Sequence, residues 1–351
     1  MKECNSLSEK YETYLLGNDL ENADFQHNTI KIVNIKKKFS GRLNRILNSK
    51  KTFFKEAMKI NADVYHLHDP ELLSLALKLK KQGKKVIFDS HEDTPKQIMG
   101  KHYIPFLIRK PLSMVFEKYE TFVTAKLDAI VAATPTIKNK FLKINKNTID
   151  VNNYPILEEF IDIPNDFTMK KNQIVYIGGL SKERGANEMA LLSNEMPDTQ
   201  FVFCGKFSAL TEEEEAKKII KHENVNFTGF VSRIEIQKVL EESKIGLVLL
   251  ERNERYKDSL PIKLFEYMAA GIPVIASNFQ LWETIIDESK SGFCVDPKDT
   301  AQQVELARKI INDNEYAKQL GDSGRKFVLE KYNWNNESQK LLELYKQLEE
   351  S

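Results

Sequence analysis

From residue 63 onward, short apolar runs alternate with amphipathic stretches, and at residue 173 the alternation starts again. Asp63–Leu67 (DVYHL), Lys85–Asp89 (KVIFD), Asp128–Ala132 (DAIVA) and Thr148–Val151 are too short for helices and bounded by turn residues, so they predict strands. Between the first two, Leu72, Leu73, Leu75, Leu77 and Leu79 recur at helical spacing over Pro70–Lys81. Pro70 suits a first helical turn and Gly83 closes the helix. Thr134-Pro135 opens another. The second series predicts strands at Gln173–Ile177, Gln200–Cys204, Val225–Phe227, Ile245–Leu250, Pro273–Ala276 and Gly292–Val295. Helices are expected over Glu212–Lys221, Arg233–Glu242 and Ile262–Ala270, with a last amphipathic one over Asn335–Glu349.

Continuous apolar strands separated by helices predict parallel sheets covered on both faces. Two such series predict an α/β protein of two doubly wound domains facing a cleft. The domains are expected at residues 1–165 and 170–330, with a C-terminal helix at 331–351 and a boundary near Pro164–Asn172. No strand-glycine-helix unit precedes Tyr11. Met1–Lys10 reads as the end of a helix and Tyr11–Gly17 as a second strand, so the first βα unit is expected to be missing.

Composition narrows the classes. A chain of 351 residues that is 41% hydrophobic can build two cores and is not wholesale disordered. A net charge of +1 argues against a protein-wide field for nucleic acid. Cys4, Cys204 and Cys294 form no CxxC pair and suggest neither a disulfide framework nor a zinc site. No apolar run reaches the length of a membrane span, and Met1–Leu20 lacks a signal-peptide core, which predicts a cytoplasmic location.

Charge is nonetheless clustered. Lys31–Lys59 holds ten basic residues, Lys36, Lys37 and Lys38 among them, and one acid, Glu56, interleaved with Leu43, Ile46, Leu47, Phe53, Phe54 and Met58. This reads either as a segment docking on the anionic inner face of a membrane or as a solvated helix face. His102–Phe122 reads either as a buried helix or as an apolar, basic lip for a lipid phosphate.

Open α/β sheets bind ligands past the carboxyl ends of their strands. Those positions hold His68-Asp69, Ser90-His91-Glu92-Asp93 and Gly178-Gly179-Leu180. Gly178 and Gly179 let the backbone approach a phosphate, and Lys182 and Arg184 can neutralise a diphosphate; the plain alternative is a turn that only joins strand to helix. No GxGxxG or GxxxxGK[ST] occurs. In Asp258–Ser277, Pro261 starts a helix that puts Lys263 and Glu266 on one face. A carboxylate there can take two ribose hydroxyls with lysine meeting phosphate, or the pair is a helix ion pair of little weight.

The block PIKLFEYMAAGIPVIAS resembles the signature of family 4 glycosyltransferases, which have the two-domain GT-B fold. HDPELL, DSHED, GGLSKERG and GFCVDP occur in the expected order, so the resemblance covers the chain from about Asp63 to its end. It implies a nucleotide-sugar donor, most often a UDP-sugar, bound mainly by the second domain. Glu266 would take the ribose, Arg184 and Lys263 the diphosphate, and Phe230 would lie near the base. The family's arginine after the first glycine is here Gly179, and the first of its two spaced glutamates is here Asp258. His91 matches a histidine beside the transferred sugar. Glu92 and Asp93 are candidates for contacting sugar hydroxyls or acting as base, and His68 and Asp69 lie on the acceptor side. With no DxD triplet, the resemblance implies a hexosyltransferase that needs no metal or cofactor, the UDP-sugar being substrate. The acceptor is expected to be a glycan, lipid-diphosphate-linked, as in bacterial O-antigen, capsule or exopolysaccharide synthesis. An epimerase on the same fold, or a non-catalytic nucleotide-sugar-binding protein, are the alternatives.

Overall fold

A computed structural model describes residues 2–18, 20, 29–35, 42–101, 103–253, 256–257 and 259–351, the side chains of 42–49 excepted. The chain forms two compact units, Met1–Asn152 with Glu337–Ser351, and Asn153–Asn336.

In the first unit, α1 (Lys2–Ser8) precedes β1 (Thr13–Gly17) and β2 (Ile30–Asn34), and α2 (Arg42–Ile60) leads to β3 (Val64–Leu67). Then follow α3 (Leu73–Lys81), β4 (Lys85–Ser90), α4 (Thr94–Gly100), α5 (Phe106–Thr124), β5 (Ala129–Ala132), α6 (Pro135–Phe141) and β6 (Thr148–Asp150). Strands β3 to β6 form one parallel sheet in chain order, while among the described residues β1 and β2 pair only with each other. Local chemistry sets the boundaries. The Thr134 hydroxyl accepts the Ile137 amide at 3.3 Å and Pro135 fills the first turn of α6. Residues Val86 to Ser90 of β4 are all buried, as a strand covered on both faces requires.

The second unit runs β7 (Gln173–Ile177), α7 (Ala186–Asn194), β8 (Gln200–Cys204), α8 (Leu210–Ile219), β9 (Val225–Gly229), α9 (Arg233–Glu242) and β10 (Ile245–Val248). It continues through α10 (Ile262–Ala269), β11 (Val274–Ser277), α11 (Gln280–Ser289), β12 (Gly292–Val295), α12 (Thr300–Asn312) and α13 (Asn314–Glu330). Its six parallel strands lie in the order β12-β11-β10-β7-β8-β9, so the order reverses beside β7. Alternate β7 side chains feed opposite faces. Val175 and Ile177 pack with Phe265 and Trp282, whereas Ile174 and Tyr176 pack with Phe201 and Leu247.

The division falls earlier than the polar stretch Pro164–Asn172 suggests. Phe160, Ile163 and Phe167 lie in the cores of the second unit, which draws the stretch into that unit. The final helix, α14 (Trp334–Glu350), is not a separate piece: from Glu337 onward it belongs to the first unit, where the Glu337 carboxylate accepts the Asn152 amide at 2.8 Å.

The two basic segments part company. Lys36, Lys37 and Lys38 lie outside the described residues. Phe53, Phe54 and Met58 on α2 pack against the core of the first unit, so that half of the segment turns its apolar face inward. Segment 102–122 is not a buried helix. Along α5, Phe106 is 78% and Leu107 86% exposed, with Met114, Val115 and Phe122 also open to solvent. Among the described residues, no helix is long and apolar enough to cross a membrane.

Candidate active site

The strand order reverses beside β7, and open α/β sheets bind ligands at such switch points. Gly178 and Gly179 follow β7 there. The Gly178 φ of +128° lies where side chains strain, and a Cβ on it would sit 2.9 Å from the Lys263 ammonium. A Cβ on Gly179 would sit 2.9 Å from Arg184 Nη1, which donates to the Gly179 carbonyl at 3.3 Å. Two flanking tyrosines fix this turn: Tyr176 donates its hydroxyl proton to the Gly179 carbonyl at 2.8 Å, and the Ile177 amide donates to the Tyr267 hydroxyl at 2.9 Å. Gly185, with a φ of +76°, starts α7, and a Cβ there would lie 1.7 Å from the Leu249 carbonyl oxygen.

Lys263, in the first turn of α10, places its ammonium 3.7 Å from the centre of the Tyr176 ring. Burial, then the charge of Arg184, holds this lysine well below its ordinary range, against the pull of Glu266. Two cations therefore converge on one glycine turn, each raising the cost of the other's charge, and an anion set between them would relieve both. Lys182 is exposed, its amide donating to the Glu212 carboxylate at 3.2 Å. Glu266 is buried, and its Oε1 meets Arg233 Nη1 at 2.9 Å. The Arg233 guanidinium also binds Glu159, so it bridges two carboxylates. Phe230 stands 81% exposed just past β9. Asp258 lies outside the described residues.

In the first unit, neighbouring strand ends bring the two histidines together. His68 follows β3, His91 follows β4, and His68 Nδ1 lies 3.3 Å from His91 Nε2. Between them sits Asp89, with Oδ2 3.1 Å from His68 Nδ1 and 3.4 Å from His91 Nε2. Burial opposes the Asp89 charge, yet the close approach of His68 and His91 prevails and holds its carboxyl well below the usual range. That carboxylate in turn raises His91, against burial. For His68, burial is the larger single effect and lowers it, but Asp89 and then Glu3 together raise it.

The acids beside these histidines go elsewhere. Asp69 is exposed, with its carbonyl accepting the Leu72 amide at 2.9 Å. The Glu92 side chain is exposed, and its carbonyl accepts the Ser90 hydroxyl at 3.2 Å. Asp93 is held by Lys140 at 3.0 Å and Lys96 at 3.5 Å, and Lys140 also binds buried Glu120 at 2.7 Å. Asp93 and Lys140 line a cavity of about 350 Å³ between α4, α5 and α6.

Reading only the positions just past each strand misses four participants: His66, Asp89, Glu3 and Arg233. The strand period of two carries a findable signal, because His66 and His68 in HLH share a face. The parallel register pairs His66 with Ile87, and Asp89 lies two residues on, on the same side. Glu3 and Arg233 arrive from distant helices, and no local pattern marks them.

A parallel six-stranded sheet with cations at its switch point, together with a parallel α/β first unit, defines the class as two Rossmann-like α/β units of the GT-B type. The comparisons agree. Residues 158–327 match the family described as "Glycosyl transferases group 1", and residues 4–151 match "Glycosyltransferase Family 4". This chain therefore belongs with the GT-B glycosyltransferases related to family 4. The alpha-galactosylglucosyldiacylglycerol synthase of Streptococcus pneumoniae is 23% identical over 250 residues, 66% of this chain and 64% of that protein. The match spans 48% of the length of spore coat protein SA of Bacillus subtilis and 64% of the synthase, less than two thirds of each. Among solved structures, sucrose-phosphate synthase from Thermosynechococcus elongatus shares the fold at TM-score 0.75 and 16% identity, covering 99% of this chain and 92% of that one. Anabaena HepE, solved in complex with UDP, aligns at TM-score 0.67 and 12% identity, covering 91% and 86%.

Proposed function

We propose that this protein transfers a hexose from a UDP-sugar to a glycan acceptor carried on a lipid diphosphate, in the synthesis of a bacterial surface polysaccharide. The observation that carries the reading is the convergence of Lys263 and Arg184 on the Gly178–Gly179 turn. Sugar transfer from a nucleoside diphosphate develops charge on the departing diphosphate, and fixed cations stabilise it. Lys263 and Arg184 are assigned to the diphosphate, with Lys182 at its outer side. Glu266 takes the ribose hydroxyls through the carboxylate oxygen that Arg233 leaves open, and Phe230 covers the base. A UDP-bound structural neighbour supports a uridine nucleotide as the leaving group.

On the acceptor side, His91 is the group nearest the transferred sugar, with Asp89 holding its ring. Glu92, Asp69 and His68 offer contacts to sugar hydroxyls. The apolar face of α5, with exposed Lys110 and Lys118 beside Phe106, Leu107 and Val115, supports a lipid-anchored acceptor and a peripheral position on an anionic membrane. A relative named as a glycolipid synthase agrees in chemistry.

A screen of radiolabelled UDP-sugars against lipid-diphosphate-linked acceptors tests the proposal. Label entering the lipid phase with release of UDP supports transfer. Interconversion of UDP-sugars without acceptor would point to an epimerase, and UDP binding with no turnover to a binding protein.

A further inference from the structure

The first unit buries more carboxylate and imidazole at one point than sugar transfer uses. Asp89, with a side chain 2% exposed, and His66, at 9%, meet Glu3 from α1 and His68 from the end of β3. One donor atom from each of these four residues lies within 4.8 Å of the other three. Counting both nitrogens of each ring, the closest approaches between these side chains are 3.1 Å for His68 Nδ1 to Asp89 Oδ2, 3.7 Å for His66 Nε2 to Asp89 Oδ2, 3.8 Å for His68 Nε2 to Glu3 Oε2 and 4.0 Å for His66 Nδ1 to Glu3 Oε2.

Glu3 Oε2 and His66 Nε2 are buried atoms with no well-directed hydrogen bond, and Asp89 Oδ2 is buried with only the off-line approaches of His68 and His91 described above. Buried polar atoms are rarely left this way, and three of them facing one another share a common missing partner. A proton on Glu3, which burial and then Asp89 push up to about 7, can be shared between the two carboxylates but leaves His66 Nε2 without a partner. A dication balances both carboxylates and takes a lone pair from each ring.

We infer that Glu3, His66, His68 and Asp89 form a binding site for one divalent transition-metal ion of the zinc type. Donors at about 2.0–2.1 Å from a tetrahedral ion stand roughly 3.3 Å apart, so with the four donors now within 4.8 Å of one another the widest pair closes by up to about 1.5 Å when the ion binds. Two imidazoles with two carboxylates suit zinc better than calcium or magnesium, which favour all-oxygen shells. An outer shell is in place: Tyr345 on α14 places its hydroxyl 3.1 Å from His66 Nδ1, which fixes that ring and leaves Nε2 for the ion. His91 Nε2, 3.4 Å from Asp89 Oδ2, borders the ion from the solvent side. The ion ties α1 and α14 to the ends of β3 and β4, behind the exposed His91. The inference stands on these four side chains and not on the transfer reading.

The test uses untagged full-length protein stripped with chelator and titrated with Co2+, whose visible bands report tetrahedral nitrogen and oxygen ligation. Zinc competition and elemental analysis give the stoichiometry. One equivalent of Co2+ with tetrahedral bands, displaced by one equivalent of Zn2+, is expected, together with a higher melting temperature in the loaded protein. His68→Gln, at a half-exposed position that should not impair folding, weakens binding more than about 100-fold, and Tyr345→Phe by about 10-fold, as ligand and outer-shell changes do. Asp89→Asn is a second ligand variant, used only if its circular dichroism matches wild type. Absence of tetrahedral bands in stripped wild type, or Co2+ binding unchanged in His68→Gln, overturns the site.

Discussion

Substitution of Glu266 separates a donor-site role from a structural one. Its carboxylate is buried, and one oxygen meets Arg233 at 2.9 Å. Arg233 is about half exposed and keeps Glu159, so losing this ion pair is expected to cost less than about 1 kcal/mol in stability after solvent screening. Nucleotide binding is affected far more. Hydroxyls bound to a carboxylate contribute about 1.5–3 kcal/mol each, and neutral ones about 1 kcal/mol. Glu266→Gln keeps the shape and one acceptor oxygen, so a loss of about 1.5 kcal/mol, roughly tenfold in UDP affinity, is expected. Glu266→Ala removes both acceptors, and about 3 kcal/mol or more corresponds to at least about a 100-fold loss. Calorimetric titration with UDP, paired with thermal unfolding of the nucleotide-free protein, reads both effects. A twofold or smaller change in UDP affinity in Glu266→Ala refutes the assignment. So does a collapse in melting temperature that parallels the affinity loss, because it makes the carboxylate structural.

Gly185→Ala should lower the melting temperature markedly, since left-handed backbone costs about 1–2 kcal/mol before the 1.7 Å approach to the Leu249 carbonyl is counted; an unchanged melting curve contradicts it. Buried Lys170 donates to the Leu240 and Glu241 carbonyls at the end of α9, and burial, then Arg325, pushes it from 10.5 down to about 8. The unfolded chain therefore binds the extra proton between about pH 8 and 10.5, and stability owed to this group rises with pH across that window, by about 3 kcal/mol in total. Chemical denaturation of wild type against Lys170→Met across that range should show the rise in wild type alone. On α5, Phe106→Ser with Leu107→Ser should reduce sedimentation with anionic vesicles at low salt, and equal pelleting removes α5 as the membrane face.

Much of the architecture is legible in the chain because parallel strands buried on both faces read as uninterrupted apolar runs. Gln173–Ile177, Gln200–Cys204 and Gly292–Val295 fall where the sequence puts them. Helix ends also announce themselves, as Thr134-Pro135 does at the start of α6, where the Thr134 hydroxyl accepts the Ile137 amide. The cations at the Gly178 turn are legible because a glycine pair past a strand and a lysine in a helix's first turn are local signals. Arg233 is not, because its partners Glu159 and Glu266 lie 74 and 33 positions away and only the folded second unit brings them together. The exposure of α5 was equally hidden: alternating apolar and basic residues fit a buried helix and a solvent-facing one alike. The division of the chain near Asn153, rather than at Pro164–Asn172, depends on Phe160 and Phe167 entering a core, and flanking polar residues mask that.

Because residues 337–351 complete the first unit, the order of synthesis matters. Leu341, Leu344 and Leu348 are buried, and Tyr345 reaches His66 across 279 positions of sequence. Until those residues are made, the amino-terminal unit lacks the helix that closes it, whereas everything the second unit needs has been synthesised by Asn336. The later-made half is therefore free to fold first, and the earlier-made half waits until residues 337–351 have left the exit tunnel. A stop codon shortly before Glu337 would release a protein with a finished carboxyl-terminal unit and an amino-terminal unit exposed to proteases.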